Sequence, residues 1–171
     1  MQIKMKNVRL SFPSLFHKAM FQGTETKYEA TFLLDKKEHA ATITQVSDAI
    51  AAMLKEHKTK LTSDKICLKD GDMMEYDGYA NTLTLKASSA KRPMVINKLK
   101  EPVTEDDNVI YSGCYVNTIV SLWFQDNGFG KRINASLEAV QFVKDGTPFG
   151  DSGSKASLDD FDVIDDDISE F

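Results

Sequence analysis

The 171-residue sequence contains few of the residues that form disulfide frameworks or metal centres, and it contains no long apolar run. Its two cysteines, Cys67 and Cys114, show no CxxC or Cys/His spacing, which argues against a disulfide scaffold and a zinc site. The three histidines are isolated and have no matching acids for metal binding or nucleophilic catalysis. No apolar run approaches the roughly 18 residues of a membrane span, and the N-terminus lacks the apolar core of a signal peptide. We therefore expect a cytoplasmic protein with no membrane contact, metal, cofactor or enzymatic activity.

Basic residues are absent from the last fourteen positions. The segment 158–171 ends in an aromatic residue, Phe171, and holds seven of the 26 acids of the chain: Asp159, Asp160, Asp162, Asp165, Asp166, Asp167 and Glu170. The preceding part of the chain, residues 1–157, contains the other 19 acids and all 21 Lys and Arg residues. A block of like charge is normally unstructured and often serves as an interaction tail. The net charge of −5 therefore combines a slightly basic body with an acidic tail.

The composition between the body and this acidic segment indicates a linker. The stretch FGDSGSKAS, residues 149–157, is rich in Gly and Ser, which is typical of flexible connections. We predict one domain over residues 1–150 and a linker with an acidic protein-interaction tail over residues 151–171. A coil of about 20 residues spans roughly 25 Å, so the tail would reach much of the surface of its own domain.

Alternation of apolar and polar residues predicts a mainly β domain. Strand patterns occur in IKMKNVRLSF, KYEATFLL, YANTLTLKAS, RPMVIN, GCYVNTIVSLWFQ and KRINASLEAVQFV, and the last two flank a hairpin turn, DNGFG. NASLEAV could also be helical, but its clear strand partner favours a strand. One helix is predicted from a capping box of Asp35 and Glu38, followed by apolar residues at helical spacing up to about His57. This inventory fits a five-stranded OB-fold barrel with one capping helix.

Aromatic and basic residues around the predicted hairpin indicate a surface for unpaired nucleic acid. In the strand 114–124 the even positions are largely apolar and should face the barrel interior, whereas the odd positions bear Tyr, Asn, Ile, Ser and the only Trp. Rings on such an outer face can pack beneath a loop or stack on bases, and the pattern leaves both alternatives open. The candidate binding residues combine rings and cations: Trp123, Phe124, Tyr115, Asn117, Phe129, Lys131, Arg132, Lys86, Lys91 and Arg92.

The segment KDGDMMEYDG resembles a calcium-binding loop only superficially. Met74 stands where an oxygen ligand is needed and no Gly follows it, so we expect a turn. Tyr76, Tyr79 and Tyr111 lie near predicted turns and could stack on bases. Tyr79, however, shares the parity of nearby apolar residues and is expected in the core.

The whole chain resembles phage-encoded single-stranded-DNA-binding replication proteins. The resemblance rests on VRLSFPSLF, SAKRP, YSGCYVN and GKRINASLEAVQFVKDGTPFG, and most specifically on the terminal DDDISEF. It implies an OB barrel with a helix between early strands, and sequence-tolerant binding and protection of single-stranded DNA in phage replication, recombination or repair. It places Trp123 and Phe124 at base-stacking positions, with Lys131 and Arg132 beside them.

The resemblance also implies partners for both parts of the chain. Single-stranded DNA would bind the body, and phage or host replication proteins (polymerase, helicase or primase) would bind the tail, in the cytoplasm of an infected bacterium; a homodimer is left open. Because the tail combines closely spaced carboxylates with a ring, it can compete with DNA for one cationic groove. An OB-fold RNA-binding or protein-adaptor module is the alternative, since neither stacking nor charge separates DNA from RNA.

Overall fold

A computed structural model describes residues 1–149, which form a closed β-barrel with one helix. The barrel consists of five strands: β1 (Gln2–Ser14), β4 (Tyr28–Asp35), β6 (Thr82–Ser89), β8 (Tyr115–Asn127) and β9 (Gly130–Lys144). Their order is β6-β4-β1-β8-β9, and a parallel pairing of β6 with β9 closes the cylinder. The prediction of a mainly β, five-stranded barrel is confirmed. The predicted linker and tail, residues 151–171, lie outside the described residues.

Short elements extend the barrel and connect its strands. β2 (Met20–Phe21) and β3 (Thr24–Glu25) form a small hairpin after β1, while β5 (Leu68–Asp70) pairs with β6 and β7 (Met94–Ile96) pairs with β9. Single 3-10 turns occupy Ser63–Lys65, Gly71–Met73 and Glu105–Asp107. The segment that superficially resembles a calcium loop therefore contains a turn, as expected. Among residues 1–149, no group of His, Cys, Asp or Glu side chains could hold a metal ion.

The apolar core fills the barrel interior and follows the alternation expected for β8. The even-numbered residues from Cys114 to Leu122 are buried, whereas the odd-numbered residues from Tyr115 to Trp123 are half-buried or exposed. The one polar residue of the inward set, Thr118, is satisfied because its hydroxyl donates to the Ala139 carbonyl oxygen at 2.8 Å. The predicted inward and outward faces of this strand are therefore confirmed up to position 123.

Two bulges interrupt β1 and change which of its residues face the interior. Asn7 and Phe12 have positive φ values of 55° and 48°, and the pairing register shifts at both places. An extra residue in one strand reverses the alternation of side chains beyond it. Leu10 is consequently buried, and Phe12, two residues later, is 40% exposed instead of entering the core.

The first bulge is held by side chains from two other elements. The Asn7 N–H donates to Asn117 Oδ1 on β8 at 2.9 Å. The Asn7 carbonyl oxygen accepts a hydrogen bond from His39 Nε2 at 3.1 Å, and His39 Nδ1 accepts the Asp35 N–H at 2.9 Å. Both ring nitrogens of the buried His39 therefore have partners in its neutral form.

The helix α1 (Ala40–Glu56) follows β4 and packs Val46, Ala49 and Ile50 against the barrel. It begins later than the capping-box pattern predicts, because Asp35 caps a preceding turn. The Asp35 carboxylate accepts the N–H groups of Glu38 at 2.8 Å and Lys37 at 2.9 Å, and these bonds hold its pKa below the ordinary value. The predicted end near position 57 is correct. Within the described residues, no helix is both long and apolar enough for a membrane span.

Candidate nucleic-acid interface

An open groove of about 480 Å³ lies on the outer surface of the barrel. It is bordered by outward-facing residues of β4, β5, β6 and β9, by the end of β1 and by the segments 64–67 and 74–79. Its lining combines basic and aromatic side chains, namely Lys65, Lys69, Lys86, Arg132, Phe12 and Tyr76. Positive charge beside exposed rings is the composition of surfaces that bind unpaired strands of nucleic acid.

Two acidic residues, Glu29 and Asp64, lie among these cations. The Lys86 ammonium is 3.1 Å from the Glu29 carboxylate, and Arg132 donates a hydrogen bond to the Asp64 backbone oxygen at 3.3 Å. The Thr62 hydroxyl donates to the Asp64 carboxylate and lowers its pKa, so Asp64 remains ionised at neutral pH. The groove is therefore basic on balance, with two of its cations oriented by acidic residues.

The exposed rings of the groove pack against a buried ring, that of Tyr79. The ring centroids of Phe12 and Tyr76 are 5.1 Å apart in an edge-to-face arrangement, and Tyr76 is also 5.1 Å from Tyr79. Tyr79 is buried with Leu33 and Phe149, and its hydroxyl donates to Ser11 Oγ at 2.7 Å. Tyr79 is therefore a core residue, as expected, but of a small cluster outside the barrel. The half-exposed ring of Phe12 therefore packs on Tyr76, which in turn packs on the buried Tyr79.

Three of the predicted binding residues lie in or beside the groove. Lys86 on β6 and Arg132 on β9 line it directly. Trp123 on β8 does not line the groove itself but pairs in register with Asn134, which does. Trp123 is 41% exposed. Lys131 is exposed next to Arg132 but does not line the cavity.

Four other predicted residues lie apart from the groove lining. Phe124 points to the opposite side of β8 from Trp123, where its ring stacks on His57 with centroids 3.9 Å apart. Phe129 is 93% exposed at the β8–β9 turn. Lys91 and Arg92 lie in the loop that follows β6, and the Arg92 guanidinium is 5.5 Å from the ring of Phe16.

The remaining two predicted residues occupy the beginning of β8, far along the strand from Trp123. The Tyr115 ring is approached by the Lys144 ammonium at 4.8 Å and the Arg9 guanidinium at 5.7 Å. Asn117 accepts the Asn7 N–H and also donates from Nδ2 to Gln141 Oε1 at 3.2 Å. Both polar ends of the Asn117 side chain therefore contribute to the barrel structure.

The structure adds residues to the groove that the candidate set did not include. Phe12, Lys65 and Lys69 line it, and so does Tyr76, which the sequence suggested only as a possible stacking residue. One available signal for Phe12 was the adjacent Pro13, because proline within a strand pattern often marks a bulge or an edge. Lys65 ends a 3-10 turn and Lys69 lies on the three-residue strand β5, and both elements are too short to carry a periodic signal.

Comparison with known proteins places this chain among phage proteins. A family model described as Enterobacter phage Enc34, ssDNA-binding protein, matches residues 1–171. Protein p50 of Acyrthosiphon pisum secondary endosymbiont phage 1 is 41% identical over 176 residues, which cover 96% of this chain and 94% of that protein.

Solved structures agree with this placement. The single-stranded DNA-binding protein from bacteriophage Enc34 in complex with ssDNA is 34% identical, with a TM-score of 0.79, and the match covers 87% of this chain and 89% of that one. The single-stranded DNA binding protein gp2.5 of bacteriophage T7 shares the fold at 14% identity, with a TM-score of 0.53 over 91% of this chain and 98% of that one. The matched family is a DNA-binding family and not an enzyme family, as the sequence predicted. The chain belongs to the family of the single-stranded-DNA-binding protein of phage Enc34.

Proposed function

We propose that this protein binds and protects single-stranded DNA, without strong sequence preference, in the groove that contains Phe12, Tyr76, Lys86 and Arg132. The observation that carries the proposal is the presence of exposed rings and basic side chains in one groove. A ring accepts the face of any base, and a cation contacts a phosphate whatever the sequence. The family and the DNA-bound structure of its Enc34 member support this assignment.

The sequence-predicted residues take different parts in this proposal. Lys86, Arg132 and Trp123 contact the DNA in or beside the groove. Lys131 and Phe129 contact the nucleotides that leave it along the β8–β9 hairpin, and Lys91 and Arg92 add positive potential near β6. We assign Tyr115, Asn117 and Phe124 a structural part, because each already contacts other residues of the barrel.

The acidic tail acts in this proposal as an internal competitor of DNA. The described chain ends at Phe149, whose ring centroid is 6.5 Å from Tyr79, and Tyr79 lies against Tyr76 in the groove. The seven acids and Phe171 therefore follow, in the sequence, a residue that packs beside the groove. When DNA displaces the tail, the tail becomes free to recruit phage or host replication proteins, which couples DNA occupancy to recruitment during replication, recombination or repair.

The proposal is tested by equilibrium binding of a labelled oligo-dT to the full chain. Unlabelled ssDNA, ssRNA and double-stranded DNA are then used as competitors. We expect ssDNA to compete best, and the Lys86→Ala/Arg132→Ala double variant to bind more weakly. Equal competition by ssRNA would favour the RNA-binding alternative, and no binding in dilute buffer would refute the proposal.

The tail is tested separately by removing residues 158–171. The shortened chain should bind the same oligonucleotide more tightly than the full chain, most clearly at low salt, because the competition is electrostatic. Unchanged affinity at low salt would refute the competitor role and leave the groove assignment intact.

A further inference from the structure

We propose that the bound strand continues past Phe12 into a second cavity, which accepts one unpaired base. This inference rests on the proposed single-stranded-DNA binding and extends its site. The second cavity has a volume of about 430 Å³ and is lined partly by the segment that leads into the β2–β3 hairpin. It shares Phe12 and Glu29 with the groove, so the two cavities adjoin at these residues.

The chemistry of the second cavity fits a base better than a phosphate. Among the described residues that line it, Glu29 is the one with a charged side chain, and the others are Phe12, Pro13, Ser14, Ala19, Met20 and Ser112. A phosphate would meet no cation there, whereas the flat apolar surface of a base would contact a ring, a thioether and a proline. The cavity is open to solvent. The basic groove beside it supplies the phosphate contacts.

Phe12 stands at the boundary of the two cavities with a strained backbone. A φ of 48° is unfavourable for a bulky side chain, and such strain persists only where the surrounding structure imposes it, often at ligand-binding sites. The bulge between Ser11 and Ser14 turns the ring outward, and Tyr76 supports it from one side. The ring can therefore contact a base in either cavity, as a wedge between consecutive bases of one strand would.

The β2–β3 hairpin begins beside the second cavity, and its first residue, Met20, lines that cavity. Two backbone hydrogen bonds hold its stem. The Ala19 N–H donates to the Lys27 carbonyl oxygen at 2.8 Å, and the Thr26 N–H donates to the Ala19 carbonyl oxygen at 2.8 Å. Its two-residue turn has positive φ at both central positions, which is the tight geometry typical of β-hairpins. Met20 and Phe21 are 61% and 67% exposed on this hairpin. Successive residues of a strand point to opposite faces, so Met20 lines the cavity whereas Phe21 lies on the other face of the hairpin.

The test combines Met20→Ala with oligo-dT strands in which a single abasic site is moved along the sequence. Met94→Ala is the matched control, because Met94 is 62% exposed on β7 and lines neither cavity. For the wild type, we expect at least two adjacent positions at which loss of the base weakens binding about fivefold or more. Met20→Ala should bind the intact strand about fivefold more weakly and lose the sensitivity at one of these positions, with an unchanged melting temperature.

Each result separates this inference from the proposed function. Full affinity and an unchanged abasic profile for Met20→Ala would refute the second subsite, while weaker binding by Lys86→Ala would still support the groove. An equal loss for Met94→Ala would also overturn the inference, because that methionine lies outside the site. Failure of the wild type to bind any strand would instead refute the proposed function itself.

Discussion

The Lys86 ammonium lies 3.1 Å from the Glu29 carboxylate, across neighbouring strands β6 and β4 and inside the groove. The lysine side chain is 64% exposed and the glutamate side chain 27% exposed. The carboxylate orients the lysine but also lowers the positive potential of a surface proposed to bind a polyanion. A phosphate that binds Lys86 must therefore share it with Glu29 or replace that partner.

The first prediction concerns this pair. Lys86→Ala should weaken ssDNA binding and reduce the slope of log affinity against log salt by about 0.7 at most, the value for one lost phosphate contact. Glu29→Gln should strengthen binding, because it removes a negative charge from the groove. Titrations between about 50 and 200 mM salt measure both effects.

Lys4→Ala is the control for this pair, because Lys4 is exposed on β1 and does not line the groove. It changes the net charge by the same amount as Lys86→Ala. If both lysine variants shifted the affinity and the slope equally, the effect would be one of net charge and Lys86 would have no specific contact.

The second prediction concerns the strained residue of β1. Asn tolerates positive φ better than Phe, so Phe12→Asn should relieve strain and offset the lost ring contacts, leaving the stability within about 1 kcal/mol of wild type. The same variant should lose about 1–3 kcal/mol of ssDNA binding, because a stacking ring is removed. Phe12→Tyr should retain the affinity. Chemical denaturation and oligo-dT titration would contradict this prediction if stability collapsed while affinity persisted.

The third prediction uses the only tryptophan of the chain. Trp123 is 41% exposed next to the groove, so ssDNA should change its intrinsic fluorescence. Trp123→Ala should weaken binding by about 1–3 kcal/mol with little dependence on base sequence. A lowered melting temperature with unchanged affinity would show instead that the ring serves packing.

The fourth prediction separates structure from binding at Asn117. Asn117→Ala removes the acceptor of the Asn7 N–H at the first β1 bulge, and a lost partner of this kind costs about 1–3 kcal/mol of stability. The affinity for ssDNA should not change. Reduced affinity in a fully stable variant would place Asn117 in the interface, as the strand pattern first suggested.

The fifth prediction concerns acid stability. Lys36 donates to the Asp72 carboxylate at 2.6 Å and the Asn81 N–H donates at 2.7 Å, and both bonds lower the pKa of Asp72 from its ordinary value of 3.8. A lowered pKa in the folded state means that the stabilisation is present above pH 3.8 and is lost as the pH falls through the folded-state value. Asp72→Asn should therefore melt earlier than wild type at neutral pH, and the difference should shrink below about pH 4. A difference that stayed constant with pH would contradict this origin.

The barrel was predictable because alternation in its long strands permits one consistent arrangement. The even-numbered positions from Cys114 to Leu122 had to be buried together, and the short turn had to pair β8 with β9. The start of the helix was predicted too early, because Asp35 bonds two N–H groups of a preceding turn as readily as those of a helix. The distinction depends on His39, which contacts a bulge distant in the sequence.

The site was predictable only where it lies on regular strands. Trp123 follows from strand parity and Arg132 from the hairpin, whereas Lys86 was a candidate as part of a basic group with Lys91 and Arg92. Phe12 does not, because a bulge reverses its side, and the position of a bulge depends on pairing with two neighbouring strands. The place of Tyr76 is determined by tertiary contacts of an irregular loop, among them its packing on Tyr79.

The closure of the barrel has a consequence for how the protein responds to its ligand. Within residues 1–149, β6 and β9 pair at Ser88 and Ser136, and groove residues lie on both sides of this seam, Lys86 on β6 and Arg132 on β9. A polynucleotide held by both cations would bridge the seam and oppose its opening. A ligand that binds the folded state stabilises that state by mass action. Bound nucleic acid would therefore stabilise the closed barrel, and the protein would resist thermal or chemical unfolding better with its ligand than without it.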